Sequence, residues 1–312
     1  MNKLFILTIA VLCLAFKAVQ EQPVSLSLIV TDKNNKGVSS IRKEQIHVFE
    51  DKVEQELLAV EPDERPVDCG IVIDASGSFR RLIVSSLESV RLIIKNKRPA
   101  DEVFIERFIS SDKIEKYRDF NTDGDVLIKS LENFKLEGGQ SAVIDALHMA
   151  VRYVDEHNKG NEGRRKVVII ITDGEDRNSF YKQEDLVKLL RETGVQVFAL
   201  GLVTELDRDA GFINRSPLEK AEKLLKTVAA ESGGRVFFPK DKQQLIDSTT
   251  QIILDLQAQF RIKYKSTRDA SRNGFREVEV KFVSPDGEKR ELVVPRGYFV
   301  GPRTPKKEEK KP

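Results

Sequence analysis

The stretch VDCGIVIDASGS, residues 67–78, decides the fold. Its apolar run through Val67, Ile71, Val72 and Ile73 stops abruptly at Asp74-Ala75-Ser76-Gly77-Ser78, and a long amphipathic segment follows. An apolar run that ends in this way marks a strand buried on both faces, as in a parallel sheet covered by helices. Such a strand delivers one carboxylate and two hydroxyls to the rim of the sheet. Their spacing suits a hard divalent cation.

Downstream, strand and helix patterns alternate. Residues 80–95 place Leu82, Ile83, Leu87, Val90 and Ile94 at near-helical spacing. Strands are expected over 101–109 and 114–120, a helix over 123–134, and an amphipathic helix over 142–154 after Gly138-Gly139. VVIII at 167–171 is a second strand buried on both faces and ends in Thr172-Asp173-Gly174. The remaining pattern reads as helix 183–193, strand 195–200, helix 217–230, strand 235–238 and helix 245–257. The charged, aperiodic residues 204–215 read as a surface insertion. This rhythm predicts an α/β domain over 66–258 with a doubly wound, mostly parallel open sheet and helices on both faces.

The flanks differ. Before the domain, 24–31, 46–50 and 56–60 read as strands, and Pro62 and Pro66 mark a boundary. After it, 260–264, 276–282 and 291–294 read as strands separated by turn-rich stretches. Neither segment (22–62 or 259–301) is long enough to fold alone. Both are expected to pair into one small β-sandwich, with the α/β domain inserted between them. Residues 302–312 read as a solvated tail.

In an open α/β sheet, ligands bind beyond the carboxyl ends of strands, where the strand order reverses. Asp74 and Asp173 both end central strands, and Ser141 opens a helix after the Gly138-Gly139-Gln140 loop. The candidate metal ligands are therefore Asp74, Ser76, Ser78, Ser141 and Asp173. With no imidazole or thiolate among them, the set suits Mg²⁺, with Mn²⁺ and Ca²⁺ as alternatives, and argues against zinc or copper. Asp145 and Asp176 lie close in sequence and read as structural hydrogen-bonding and capping groups.

The series Asp74-x-Ser76-x-Ser78, Ser141 and Asp173 resembles the metal-ion-dependent adhesion site of the von Willebrand factor A domain. The resemblance implies that the three serines bind the metal directly, and that the two aspartates act directly or through water. Ser141 stands where the family usually has Thr, which keeps the hydroxyl and loses the methyl that restricts its rotamer. The flanking stretches, residues 30–57 and FRIKYKSTRDASRNGFREVEVKF at 260–282 with RGYF at 296–299, resemble a bacterial secreted subfamily of these domains, best known from acidobacteria.

Composition narrows the function. The 312 residues carry a formal net charge of +2, too balanced for a nucleic-acid or anionic-membrane binder. The apolar run 4–16 after Lys3 is too short to span a bilayer and reads as a signal-peptide core, with cleavage near Ala18. Cys69 is then the one remaining cysteine and reads as a buried small hydrophobe. Ser76 and Ser78 lack a nucleophile elbow, none of the three histidines falls within a hydrolase pattern, and no phosphate loop is present. The expectation is a non-enzymatic, exported, adhesion-type module, periplasmic or secreted, that captures the Asp or Glu of a partner protein on its cation. The alternative is a structural envelope or assembly protein whose cation only stabilises loops.

Overall fold

A computed structural model describes residues 23–302 apart from 39, 162, 205, 207–216, 270, 285–286 and 288. The expected signal peptide, most of the insertion and all but the first residue of the tail lie outside the described residues.

The chain begins with β1 (Val24–Thr31), β2 (Ile46–Glu50) and β3 (Val53–Pro62). The central domain follows. It runs β4 (Val67–Asp74), α1 (Ile83–Asn96), β5 (Glu102–Ser110), β6 (Lys113–Asn121), α2 (Gly124–Ser130) and α3 (Val143–His157). It continues with β7 (Arg165–Thr172), α4 (Gln183–Thr193), β8 (Gln196–Gly201), α5 (Pro217–Ser232), β9 (Val236–Phe237) and α6 (Lys242–Gln257). The chain then adds β10 (Phe260–Lys265), β11 (Gly274–Phe282), β12 (Glu291–Val293) and β13 (Gly297–Val300).

The central sheet has six strands in the order β6-β5-β4-β7-β8-β9, and β6 alone is antiparallel to its neighbour. The strand order reverses at β4, so β4 and β7 are neighbours at the switch point. Every residue of β4 is buried, as its unbroken apolar run predicts. Alternate side chains feed two separate cores. Ile71, Ile73, Ile169 and Ile171 pack with Val90 and Ile94 of α1 and Ile252 of α6. Val72, Val168 and Ile170 pack with Leu147 and Val151 of α3 and Leu186 of α4. Gly70 is required between them, because a Cβ there would lie 2.4 Å from the ring of Phe104.

One position on the second face breaks the apolar pattern. Glu106 shares that face of β5 with Phe104 and Phe108, is 4% exposed, and has no hydrogen-bond partner for Oε1. Burial holds its carboxyl well above the usual glutamate range. The acid is harder to ionise in the fold than in the unfolded chain, so stability is lost as pH rises from about 4.3, the ordinary glutamate value. Glu106→Leu is therefore expected to stabilise the protein by about 1–3 kcal/mol near neutral pH, with a smaller gain in acid. Urea denaturation at two pH values checks this, and an unchanged or lower midpoint at neutral pH would refute it.

The two flanks, expected as a small β-sandwich, come together here in a single curled sheet. They form one seven-stranded antiparallel sheet, β12-β1-β10-β3-β2-β11-β13, curled around its own core of Leu28, Val30, Val48, Ile262 and Tyr264. Its two edge strands, β12 and β13, are joined by only Val294-Pro295-Arg296, so the chain itself closes the curl. That corner is wedged against the central domain. Gly233, with φ +73°, ends α5 so close to Pro295 that a Cβ would sit 2.4 Å from its ring. The domain's entry and exit lie side by side, with Asp63 N–H donating to the Gln259 carbonyl at 2.8 Å. Arg165 spans both, donating from Nε to the Arg65 carbonyl and from Nη2 to that of Leu256.

Candidate metal centre

The site is built where β4 and β7 end side by side. Asp74 closes β4 and Asp173 directly follows Thr172, the last residue of β7. After Asp74 the chain turns sharply, and the Asp74 carboxylate closes the turn by accepting the Ser76 N–H at Oδ1, 2.9 Å away. The turn brings Ser76 Oγ and Ser78 Oγ to 3.2 Å of each other. Ser78 Oγ donates to Asp173 Oδ2 at 2.7 Å, which ties the two strand ends together.

The third hydroxyl arrives from a distant loop. Glu137 N–H donates to the Ala75 carbonyl at 3.2 Å, and Gly139 lies so close to Ile109 that a Cβ would stand 2.4 Å from its Cγ2. The loop thus seats Ser141 with its Oγ 3.4 Å from Asp74 Oδ2. The structure therefore brings together all five side chains singled out in the sequence. Asp74, Ser76, Ser141 and Asp173 are buried, while Ser78 is exposed.

Thr172 is a further member that the sequence reading takes only as the end of a strand. Its Oγ1 donates to Asp74 Oδ2 at 2.6 Å and accepts the Gly174 N–H at 3.0 Å. A hydroxyl immediately before a rim aspartate is the signal that could have found it. Asp145 and Asp176 serve the surrounding scaffold. Asp176 Oδ1 accepts the Ile144 N–H at 3.1 Å and so caps α3 from another loop. Asp145, in the first turn of α3, accepts the N–H groups of Phe180 and Tyr181 at 2.7 and 2.8 Å.

Electrostatically the site is poised for a cation. Burial first, and then the charge of Asp173, holds the Asp74 carboxyl far above the usual aspartate range. Burial likewise raises Asp173, against the hydrogen bonds it accepts from Glu175 N–H and Ser78. Among the described residues, neither carboxylate has an ion-pair partner. The donor set fits a divalent ion. Ligand oxygens about 2.1 Å from a six-coordinate Mg²⁺ lie about 3 Å apart, and the separations here are 2.7 to 3.4 Å. Both Asp74 oxygens are engaged by the protein, which places this carboxylate behind the hydroxyls.

A second cluster, Asp68, Glu102 and His157, sits at the opposite ends of the strands, and its ligand atoms lie within 4.8 Å of one another. Here the protein supplies the positive charge. Arg164 Nε is 2.5 Å from Asp68 Oδ1, its Nη2 is 3.5 Å from Glu102 Oε1, and Asn158 donates to Asp68 Oδ2 at 2.8 Å. No helix among the described residues is long and apolar enough to cross a membrane.

Solved structures of similar fold include three proteins. One is an aerotolerance-related membrane protein from Bacteroides fragilis NCTC 9343, carrying multiple mutations to serine. It is 19% identical with TM-score 0.46, covering 60% of this chain and 98% of that one. The conserved hypothetical protein BatB from Bacteroides thetaiotaomicron is also 19% identical, with TM-score 0.45 and coverage of 61% and 98%. Proximal thread matrix protein 1 from the mussel byssus, with a zinc-occupied MIDAS motif, is 18% identical with TM-score 0.48, covering 68% of this chain and 50% of that one. Comparison with the curated proteins finds no match. The family model for the von Willebrand factor type A domain matches residues 68–251, the span that holds the whole rim site. The chain belongs to the von Willebrand factor type A domain family.

Proposed function

We propose that the chain is an exported, non-catalytic protein-binding module whose rim site holds a divalent cation. Ser76, Ser78 and Ser141 would be its direct ligands, with Asp74 and Asp173 behind them, and Mg²⁺ is the ion that the all-oxygen set favours. Domains of this family are in general protein-interaction modules. A cation held with few charged ligands stays electrophilic and would take an Asp or Glu carboxylate from a partner protein at its open position. The observation that carries this reading is the pair of buried carboxylates next to three converging hydroxyls, with no ion-pair partner for either among the described residues.

The histidines support a non-catalytic role. His148 is stacked on Tyr181 and drawn down to about 4 by burial, so it stays neutral. His47 contacts Glu54 on the flank sheet, and His157 contacts Glu102 at the far end of the central domain. Export rests on the apolar N-terminal run of the sequence.

The cation test is a melting curve in Mg²⁺ and in EDTA at several pH values. Both rim aspartates are harder to ionise in the cation-free fold than in the unfolded chain. Without cation, stability is therefore lost as pH rises above about 4, the ordinary aspartate value. A cation that requires the ionised form reverses that loss, so the Mg²⁺-dependent rise in Tm should be larger at about pH 8 than at about pH 5. A shift independent of pH would count against the two aspartates. The function test is partner capture by the immobilised full chain in Mg²⁺, followed by EDTA. If EDTA lowers Tm yet leaves the captured partner in place, the cation is only structural and the envelope-protein alternative holds.

A further inference from the structure

A large aromatic side chain stands exposed beside the rim site. Phe180 is 68% exposed, in the loop that leads from Asp173 into α4. A single exposed hydrophobic residue is ordinary on a protein surface. This one is held by a rigid frame that also holds the site. The N–H groups of Arg177 and Asn178 donate to the Ser141 carbonyl at 2.9 and 3.3 Å. Three and two residues further on, the Phe180 N–H is fixed by buried Asp145. The Phe180 ring meets Tyr181 edge-on at 5.3 Å, and Tyr181 is itself stacked on His148 at 3.7 Å. An aromatic group presented this way loses little entropy when a partner covers it, which is the usual character of an interface anchor.

The charges around it complement an acidic partner. In the loops 77–82 and 175–182 the exposed charged side chains are Arg80, Arg81 and Lys182, together with Arg177, which pairs with Glu175. The acids of the same loops are engaged, Glu175 with Arg177 and Asp176 with the α3 N-terminus and Ser179. We propose that Phe180 is the apolar anchor of the rim interface, so that the site takes a peptide segment with an acidic residue and a large apolar residue close together. This rests on the carboxylate-capture reading above. Ser141 lies two residues before α3 and Asp145 in its first turn, so four residues of chain, at most about 14 Å, separate the two groups that hold the site and the Phe180 loop. An extended segment advances about 3.3 Å per residue, so the apolar residue should fall about two to four positions from the acid.

The experiment selects a random peptide display library on the immobilised full chain in Mg²⁺, eluting with EDTA, for wild type and Phe180→Ala. Melting curves of the variant control for folding. Wild type should enrich peptides with Asp or Glu and an aromatic or large aliphatic residue at that spacing. Phe180→Ala should lose the apolar preference and bind a wild-type-selected peptide about tenfold or more weakly, with Phe180→Leu between them. Acidic peptides without apolar enrichment, or equal affinity for both proteins, overturn the anchor and leave carboxylate capture standing. Apolar peptides without an acid that are lost on Phe180→Ala support the anchor and overturn carboxylate capture. An empty selection overturns both.

Discussion

Asp74→Ala is expected to abolish cation binding. In calorimetric titration with Mg²⁺, the heat given by the wild type should vanish, or the affinity fall by about 100-fold. The size of the effect follows from how much Asp74 organises. One oxygen closes the turn that carries Ser76 and Ser78, and the other accepts Thr172 and faces Ser141. Removing it takes away one of two buried negative charges and the support for the direct donors. Asp74→Asn separates these contributions, because it keeps an acceptor and the shape but not the charge. In EDTA this variant should melt at or above the wild-type temperature, since burial already opposes ionisation of the wild-type acid. In Mg²⁺ the order should reverse. Equal heats for wild type and Asp74→Ala would sink the site assignment.

Glu50→Ala should unfold the flank sheet selectively. Glu50 lies at the end of β2 with no exposure and gathers groups from the other end of the chain. It accepts from Tyr264 and Tyr298 hydroxyls at 2.8 Å each and from Ser266 Oγ at 2.7 Å, and it faces Arg276 Nη1 at 3.4 Å. Truncating it leaves the buried Arg276 guanidinium without its anion, a change that costs about 3–5 kcal/mol. The central domain has separate cores, so its Mg²⁺ titration should survive while thermal unfolding splits into two transitions. Two of the five tyrosines, Tyr264 and Tyr298, lie in the flank sheet, so part of the near-ultraviolet circular dichroism should be lost in the first transition. One transition, shifted by less than about 1 kcal/mol, would show that Glu50 contributes no more than a surface ion pair.

The central fold was legible because its signals are strong and local. GIVI and VVIII are short β-branched runs that read as strands covered on both faces, and each is followed by a rim aspartate and, further on, a helix. The meeting of Asp74, Ser78 and Asp173 then follows from β4 and β7 being neighbours at the switch point. What the sequence hid depends on tertiary placement. Thr172 looks like one more β-branched strand residue until its neighbour across the sheet is known to end in an acid. Asp176 caps α3 although it lies more than thirty residues downstream of the helix start, so no local capping pattern announces it. Glu106 sits in a strand with Glu102 and Arg107, where a polar reading is natural, yet its side chain faces the apolar α3 layer. β13 was missed because only three residues, one of them Pro295, separate it from β12.

The closure of the flank sheet bears on the order in which the molecule comes into being. Glu50 and its partner Arg276 are 226 residues apart. β1 and β3 can pair with β10, and β2 with β11, only after the whole intervening segment has emerged. A bare loop of that length would make their meeting slow and entropically unfavourable. Here the interval is occupied by a domain with its own cores, whose two ends emerge next to each other at Asp63 and Gln259. Once folded, that domain would bring the first and last strands together at its adjacent ends. The flank sheet is thus expected to close last, on the part that carries the site. A chain cut short before β13 would bare the longer edge of β11 that it covers, a ready point of association with other chains.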